Sequence, residues 1–374
     1  MLHTEKMILA LNPSPENALP TICDNCKNCD LLVRLVALYA KTQVTSNEGI
    51  QSAFLEQVRK SFPPNLSFVD ELAELLNISR DSAYRRMRGD TVLSLEEVKK
   101  LCDHFKISLD SFLSPSSEVV TFQLRAMNVN EFSFDKWLGS ILANLEMVAG
   151  FEEKEIIYNA KDLPIFHYFQ FPRLSAFKMY FWMKSFSRNV KFSAGKYSPD
   201  LVDKKLIAVG EKIWEKYATI PGTELLSVEI MNVTLRHIEF AHECGMFEDT
   251  QEALRLCDDC SLLIDRLKAQ AEVGRKSSSD GENAGGKFDL YYNEVLIGDN
   301  TILFKMGDKR VTFLTANNFD ILTTAQESFC NLTESHINNL INKSTLISNT
   351  AARERSKFFN KVEQRIKEVR AGIA

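Results

Sequence analysis

The chain alternates two rhythms of hydrophobic and polar positions. Between residues 50 and 113, short stretches with apolar side chains three and four apart are broken by turn signals. "IQSAFLEQVRKSF" stops at Pro63 and Pro64, "SFVDELAELLN" starts on Ser67 as a cap, and "SLEEVKKLCDHF" opens with Ser94 as N-cap and Glu97 at the capping-box position. With "ISRDSAYRRMRG" between them and "SLDSFL" after them, the pattern predicts five short helices. From 133 the helices lengthen. In "FDKWLGSILANLEMV", Phe134, Trp137, Leu138, Ile141, Leu142, Leu145 and Val148 form one broad apolar face, and helical patterns continue through "DLVDKKLIAVGEKIWEKYA", "ELLSVEIMNVTLRHIEFAHECG" and "TQEALRLCDDCSLLIDRLKAQAEVG".

The segment "RKSSSDGENAGGK", residues 275–287, has no apolar face and predicts a flexible linker. Beyond it, "FDLYYNEVLIGDNTILFKMGDKRVTFLTA" carries three β-branched and aromatic runs separated by "GDN" and "GDK", which predicts an antiparallel three-stranded meander. In the C-terminal helix Phe359, Val362, Ile366 and Val369 make a short coiled-coil-like seam, a candidate dimer contact. The expected fold is mainly α. A leader spans 1–48, a five-helix domain 49–115, a larger helical domain 116–274, the linker 275–287, and a β-meander with C-terminal helices 288–374.

Composition adds limits. The 374 residues are more than one ordinary core takes up, and 45% apolar with 25% charged residues is a soluble globular balance. A net charge of −5 excludes a uniformly basic coat, though not a basic patch on one small domain. No run approaches the roughly 20 apolar residues of a membrane span. The richest stretch, 166–186, is broken by Arg173, Lys178 and Lys184, and "MILAL" after Lys6 is too short for a signal-peptide core. A cytoplasmic protein is expected, with its eight cysteines as thiols or metal ligands rather than a disulfide framework.

The stretch 78–89 carries the chemistry. A helix-turn-helix needs a bracing helix, a tight turn and a second helix whose first half enters the major groove. "DELAELLN" supplies Leu72, Leu75 and Leu76 to a core and Ala73 for close approach; Asn77 tolerates a left-handed backbone, Ile78 plugs the turn, and Ser79 caps the next helix. There Ala83 and Met87 face the core, leaving Arg80, Asp81, Ser82, Tyr84, Arg85 and Arg88 outward. Four arginines against one aspartate give residues 79–89 a charge of +3. Arginine's fork can donate two bonds to guanine, a short serine suits several bases, and the helix start favours a phosphate. An arginine-rich helix alone is most often a solvated face; the ordered brace, turn, cap and closing pair point to DNA. RNA fits less well, because single-strand readers stack bases on sheet aromatics.

"LAELLNISRDSAYRRMRG" with "LSLEEVKKLCDHFKISLDSFL" resembles the phage-repressor and Cro-like (XRE-type) helix-turn-helix family, and "SAYRR" resembles its BetR-type subset. The resemblance implies residues 80, 81, 82 and 85 toward bases, and Ser79 and Arg88 toward phosphates. Two positions depart from it. Asn77 stands where glycine is usual, and Arg86 stands where an aliphatic side chain is usually buried; its stem is expected along the core edge with the charge toward the DNA backbone. The domain order also resembles peptide-sensing regulators that join this unit to tetratricopeptide-like helices, although no repeat of about 34 residues is present.

Other constellations are weaker. Cys23, Cys26 and Cys29 offer three thiolates to zinc, but a structural site wants four ligands and no second pair follows, so no metal or cofactor is expected. Cys257 and Cys260 sit in a helical pattern as core thiols, and His167, His237, His242 and His336 are scattered singly. There is no phosphate loop, "GxSxG" or "HExxH", so an enzyme is not expected. The nine aromatics of 166–186 are a core, or line a ligand pocket or partner groove. The expected function is a sequence-specific transcriptional regulator, a homodimer on double-stranded DNA with a small-molecule or peptide effector. The alternative is a protein-interaction module with a weakened helix-turn-helix.

Overall fold

The structure, a computed structural model, describes residues 49–60, 62, 67–105, 107, 109, 120–125, 133–186, 196–277, 284–295, 297–298, 300–316 and 320–374. The leader, with Cys23, Cys26 and Cys29, and most of the expected fifth helix at 108–113 lie outside the described residues.

Among the described residues four helices form the N-terminal unit: α1 (Ile50–Lys60), α2 (Phe68–Leu76), α3 (Arg80–Arg88) and α4 (Leu95–Phe105). In α2 the buried residues Phe68, Val69, Leu72, Ala73 and Leu76 recur with the helical period, and Asp70 and Glu71 in the first turn suit the positive end of its dipole. They close one core with Phe54, Leu55 and Val58 of α1, Ala83 of α3 and Leu101 and Phe105 of α4. The capping box at 94–97 forms as the sequence predicts: the Glu97 amide donates to Ser94 Oγ at 3.2 Å and the Ser94 amide to Glu97 Oε2 at 2.9 Å.

The larger unit is built on a mixed sheet rather than on helices with a separate meander. Its strands are β1 (Gln123–Arg125), β2 (Lys154–Ala160), β3 (Gly222–Leu226), β4 (Arg275–Ser277), β5 (Ala284–Tyr292), β6 (Thr301–Met306), β7 (Lys309–Ala316), β8 (Asp320–Thr324) and β9 (Thr345–Leu346). Their order is β1-β8-β7-β6-β2-β3-β5-β4, with β9 beside β5. Strands β2, β3 and β5 run parallel, so each of the two crossovers carries helices. The first is α6 (Ile165–Tyr168), α7 (Pro172–Phe186) and α8 (Lys204–Thr219); the second is α9 (Asn232–Glu243) and α10 (Thr250–Val273). Helix α5 (Phe134–Ala149) precedes β2, and α11 (Glu327–Asn342) and α12 (Ala352–Ile373) follow β8.

The alternation of β2 assigns the two faces. Ile156, Tyr158 and Ala160 join the main core with α5 to α10 and α12, whereas Ile157 points to a smaller cluster with Leu225, Leu303 and Ile337 of α11. Three expectations are thereby corrected. Residues 116–274 are not wholly helical, since β2 and β3 lie inside them, and "ELL" at 224–226 ends a strand rather than opening a helix. The second and third runs of the meander pair as the β6–β7 hairpin and continue antiparallel into β8, but the first run, β5, lies across the sheet beside β3. The expected linker 275–287 begins as β4 and ends in β5, with 278–283 outside the described residues.

The C-terminal seam is also spent within the chain. Phe359, Val362, Ile366 and Val369 are buried in the main core, on a helix packed against α10 and α9, and the Arg370 and Asp258 side chains pair at 2.7 Å beside it. That apolar face is therefore not available to a second copy.

Candidate nucleic-acid interface

The turn between α2 and α3 is set by its backbone. Asn77 takes the left-handed conformation, φ 56° and ψ 51°, while the Ile78 amide donates to Ala73 O at 2.9 Å and the Asn77 amide to Glu74 O at 3.1 Å. Asparagine does here what glycine does elsewhere, because its short polar side chain tolerates that region. Ser79, extended at φ −70° and ψ 156°, accepts the Ser82 amide at 3.2 Å and donates to Ser82 Oγ at 3.0 Å. The hydroxyl proton of Ser82 is left to point elsewhere. At the far end Gly89 (φ 81°) closes α3 with its amide on Arg86 O and the Asp90 amide on Arg85 O.

Ala83 is fully buried and Met87 half-buried against the core, which orients α3. At 100° per residue Arg85 then lies about 160° around the helix from Ala83, the outermost position available. Ser79, Arg80, Asp81, Tyr84, Arg85 and Arg88 are exposed, and Ser82 is half-buried beside them. The residues singled out from sequence thus share the solvent side of α3. Two of the three outward arginines carry partners. Arg80 Nε lies 2.7 Å from Asp70 Oδ1 of α2, and Arg88 Nε 2.9 Å from Asp90 Oδ2. Arg85 has no ion pair among the described residues.

Arg86 departs from expectation. Its guanidinium turns away from the outer face to a two-bond pair with Glu97 of α4, Nε to Oε2 at 3.2 Å and Nη2 to Oε1 at 2.8 Å, while Nη1 donates to Ser82 O at 3.3 Å. The reason is angular: Arg86 flanks Ala83 on the helix, so its charge reaches α4 before it reaches solvent. Partial burial acts to raise the Glu97 carboxyl, but Arg86 and the Ser94 amide outweigh it and hold Glu97 below its ordinary value.

Sequence reasoning also missed Gln51. From α1 its Nε2 donates to Arg86 O at 2.8 Å and Thr91 O at 2.7 Å, and its Oε1 accepts the Leu93 amide at 2.7 Å, so one side chain staples the exit of α3 to the first helix. A lone glutamine on an amphipathic helix gives no sequence signal for this. The partner Asp70 was equally silent, reading only as a first-turn acid.

Several titratable groups of the larger unit are sealed in its core. His167 Nε2 lies 2.8 Å from Glu224 Oε1, to which Tyr217 Oη donates at 2.6 Å. Lys276 Nζ donates to Ile220 O at 3.0 Å and Tyr217 O at 3.3 Å, neutralising the C-terminal end of α8. Burial pulls the Lys276 ammonium down to about 7. Burial alone would raise the Glu224 carboxyl, yet His167 holds it below its ordinary value. Lys178 Nζ donates to Thr234 Oγ1 at 2.9 Å and sits 4.0 Å over the Tyr168 ring. Cys257 and Cys260 are buried thiols, as expected, and burial pushes both up. His167, Glu224 and Tyr217 bond to one another, while Lys178 and Lys276 bond to a threonine hydroxyl and to backbone carbonyls, as structural polar groups do in an interior.

Among the described residues no group of His, Cys, Asp or Glu side chains has metal-binding geometry, and no helix is long and apolar enough to cross a membrane. No curated protein and no solved structure matches the chain. A family model does, over 69–112, roughly an eighth of the length, and its description is helix-turn-helix. That span covers α2, the Asn77 turn, α3 and α4, and these residues are a helix-turn-helix of the Cro-like (XRE) type.

Proposed function

We propose that the chain is a sequence-specific transcriptional regulator, not an enzyme, that acts in the cytoplasm and inserts α3 into the major groove of double-stranded DNA. Arg85, Ser82, Asp81 and Arg80 face base edges, while Arg88, Ser79 and the first-turn amides of α3 meet phosphates. The observation that carries this reading is the outward placement of Arg85, opposite the buried Ala83, on a helix braced and capped at both ends. One such helix reads only a few base pairs, so a homodimer on two half-sites about 34 Å apart is the working form. The larger unit supplies the dimer contact and takes an effector.

Arg85→Ala should cost about 1–3 kcal/mol at the preferred site and relax sequence preference, because a two-bond base contact is lost. Arg88→Ala should weaken preferred and random DNA alike and make the slope of log K against log salt shallower by about 0.9. Binding of both variants to selected and random duplexes over a salt series tests the reading. A protein-interaction module with a weakened helix-turn-helix is the second reading, favoured by Val92 and Leu95, which are 80% and 74% exposed just after α3. It becomes the better account if Arg85→Ala changes neither affinity nor preference.

A further inference from the structure

Two helices of the larger unit begin at the same surface cleft. Helix α7 starts at Pro172 and α8 at Lys204, and the first turns of both line an open cavity of 470 Å³. Sites for small ligands span about 300–1,000 Å³. The lining is mostly apolar: Ala176 and Val202 are buried at its base, and Ile207 and Ala208 form its α8 wall. Lys204, Ile207, Ala208 and Glu211 follow one another at helical spacing, so they make a single stripe about 10 Å long with a cation at one end and a carboxylate at the other.

Arg173, in the first turn of α7, is already aimed. Its Nε lies 3.1 Å from Asp259 Oδ2 of α10, which fixes the plane of the guanidinium while other N–H groups of the fork remain for a second acceptor. Pro172 has no amide hydrogen and the Ser175 amide bonds to Phe171 O, so the donors at this helix start are the Arg173 and Leu174 amides. Asp200 and Glu211 also border the cleft, but a ligand ammonium would find there no helix C-terminus to add to them, and Asp259 is engaged by Arg173. The start of α8 is already capped by Asp203, whose Oδ1 accepts the Lys205 amide at 2.9 Å, so a ligand carboxylate would find a preset guanidinium, a lysine and the start of α7.

We propose that this cleft is the effector site and takes a small apolar carboxylate, its acid group on Arg173 and its hydrocarbon body along Ala176, Val202, Ile207 and Ala208. The proposal rests on the regulator reading for the meaning of the site, not for its existence.

The test uses the full chain and calorimetric titration with octanoate and phenylacetate, with octanol and octylamine as uncharged and cationic controls. At least one acid is expected to bind one per chain and raise the melting temperature, and the controls to bind at least tenfold more weakly. Arg173→Gln should bring the acid down to the level of the alcohol. Ala208→Trp, at an exposed position that fills the cleft, should abolish binding while the melting temperature without ligand stays as in the parent. Failure of both acids to bind, equal binding of the amine, or binding that survives Ala208→Trp would overturn the proposal. Titration of selected DNA without any acid tests the regulator reading separately, so an acid bound by a chain that ignores DNA would sink only that reading.

Discussion

Removing Glu97 separates the two jobs that the arginines of α3 perform. Glu97→Ala deletes both bonds to Arg86 and the acceptor for the Ser94 amide. Loss of the cap should cost about 1 kcal/mol. The ion pair is neither buried nor free, with side chains 15% and 16% exposed. Breaking it should fall between the near-zero effect of surface pairs and the 3–5 kcal/mol of buried ones, at about 2 kcal/mol. The combined loss of about 3 kcal/mol should appear as faster hydrogen exchange of the α3 and α4 amides in the full chain, with the sheet unaffected because the two cores are separate clusters. Since Glu97 titrates below its ordinary value, the same protection should persist at neutral pH and fade only as the pH drops below the ordinary carboxylate range. Arg86→Met should restore part of it in the double variant and, by itself, leave the salt slope of DNA binding unchanged. Unaltered exchange in Glu97→Ala, or a slope reduced by about 0.9 in Arg86→Met, would refute the reasoning by returning Arg86 to the phosphates.

Asp70→Asn should raise DNA affinity and steepen the salt dependence, since Arg80 would no longer have to leave a carboxylate; unchanged binding in a gel-shift titration would mean that the pair does not compete with DNA. Burial, aided by Lys178, pulls the His237 imidazole down to about 4. Its contribution to stability should be complete above about 6.5 and be lost as the pH falls toward 4, so melting temperatures over that window should fall less steeply in His237→Phe, and parallel profiles would count against it. Gly286→Ala should destabilise the larger unit by about 1–3 kcal/mol, because the new Cβ would lie 2.7 Å from the backbone at Ile220 and Pro221, and a thermal melt indistinguishable from the parent would show that β5 and the end of α8 can move apart.

The N-terminal unit was legible because its signals are local. The Asn77 turn, the Ser79 cap, the Ser94 and Glu97 box and the inward Ala83 all act within a few residues of sequence. The sheet was not. "EIIYNA" and "GTELL" are parallel strands buried on both faces, so they lack the alternation that marks a half-exposed strand, and each is short and flanked by long amphipathic helices. Strand β5 showed its propensity but not its neighbour, since pairing with β3 is fixed by crossover helices rather than by a turn. The seam of α12 was a real apolar face, but period alone does not say whether its partner is α10 or another chain. For the site, sequence gave the faces of α3 and withheld the partners of its charges, which come from α2 and α4.

Those partners change the electrostatic argument. Counted along 79–89 alone, the helix is a basic patch of +3. In the folded unit its four arginines stand among four carboxylates, Asp70, Asp81, Asp90 and Glu97, so the surface is close to neutral before DNA arrives. A neutral surface binds random DNA weakly, because that binding comes almost wholly from counterion release. Arg80 and Arg88 are more than 60% exposed in their pairs, where an ion pair is worth only about 0–1 kcal/mol, so a well-placed phosphate or base can draw each away. Arg86, five-sixths buried, cannot be drawn away at that cost. The helix therefore holds one arginine for the fold, keeps two in exchangeable pairs and presents Arg85 outright. On the proposed reading this arrangement suppresses non-specific binding more than specific binding, because only a matching site offers acceptors to all three outward arginines at once.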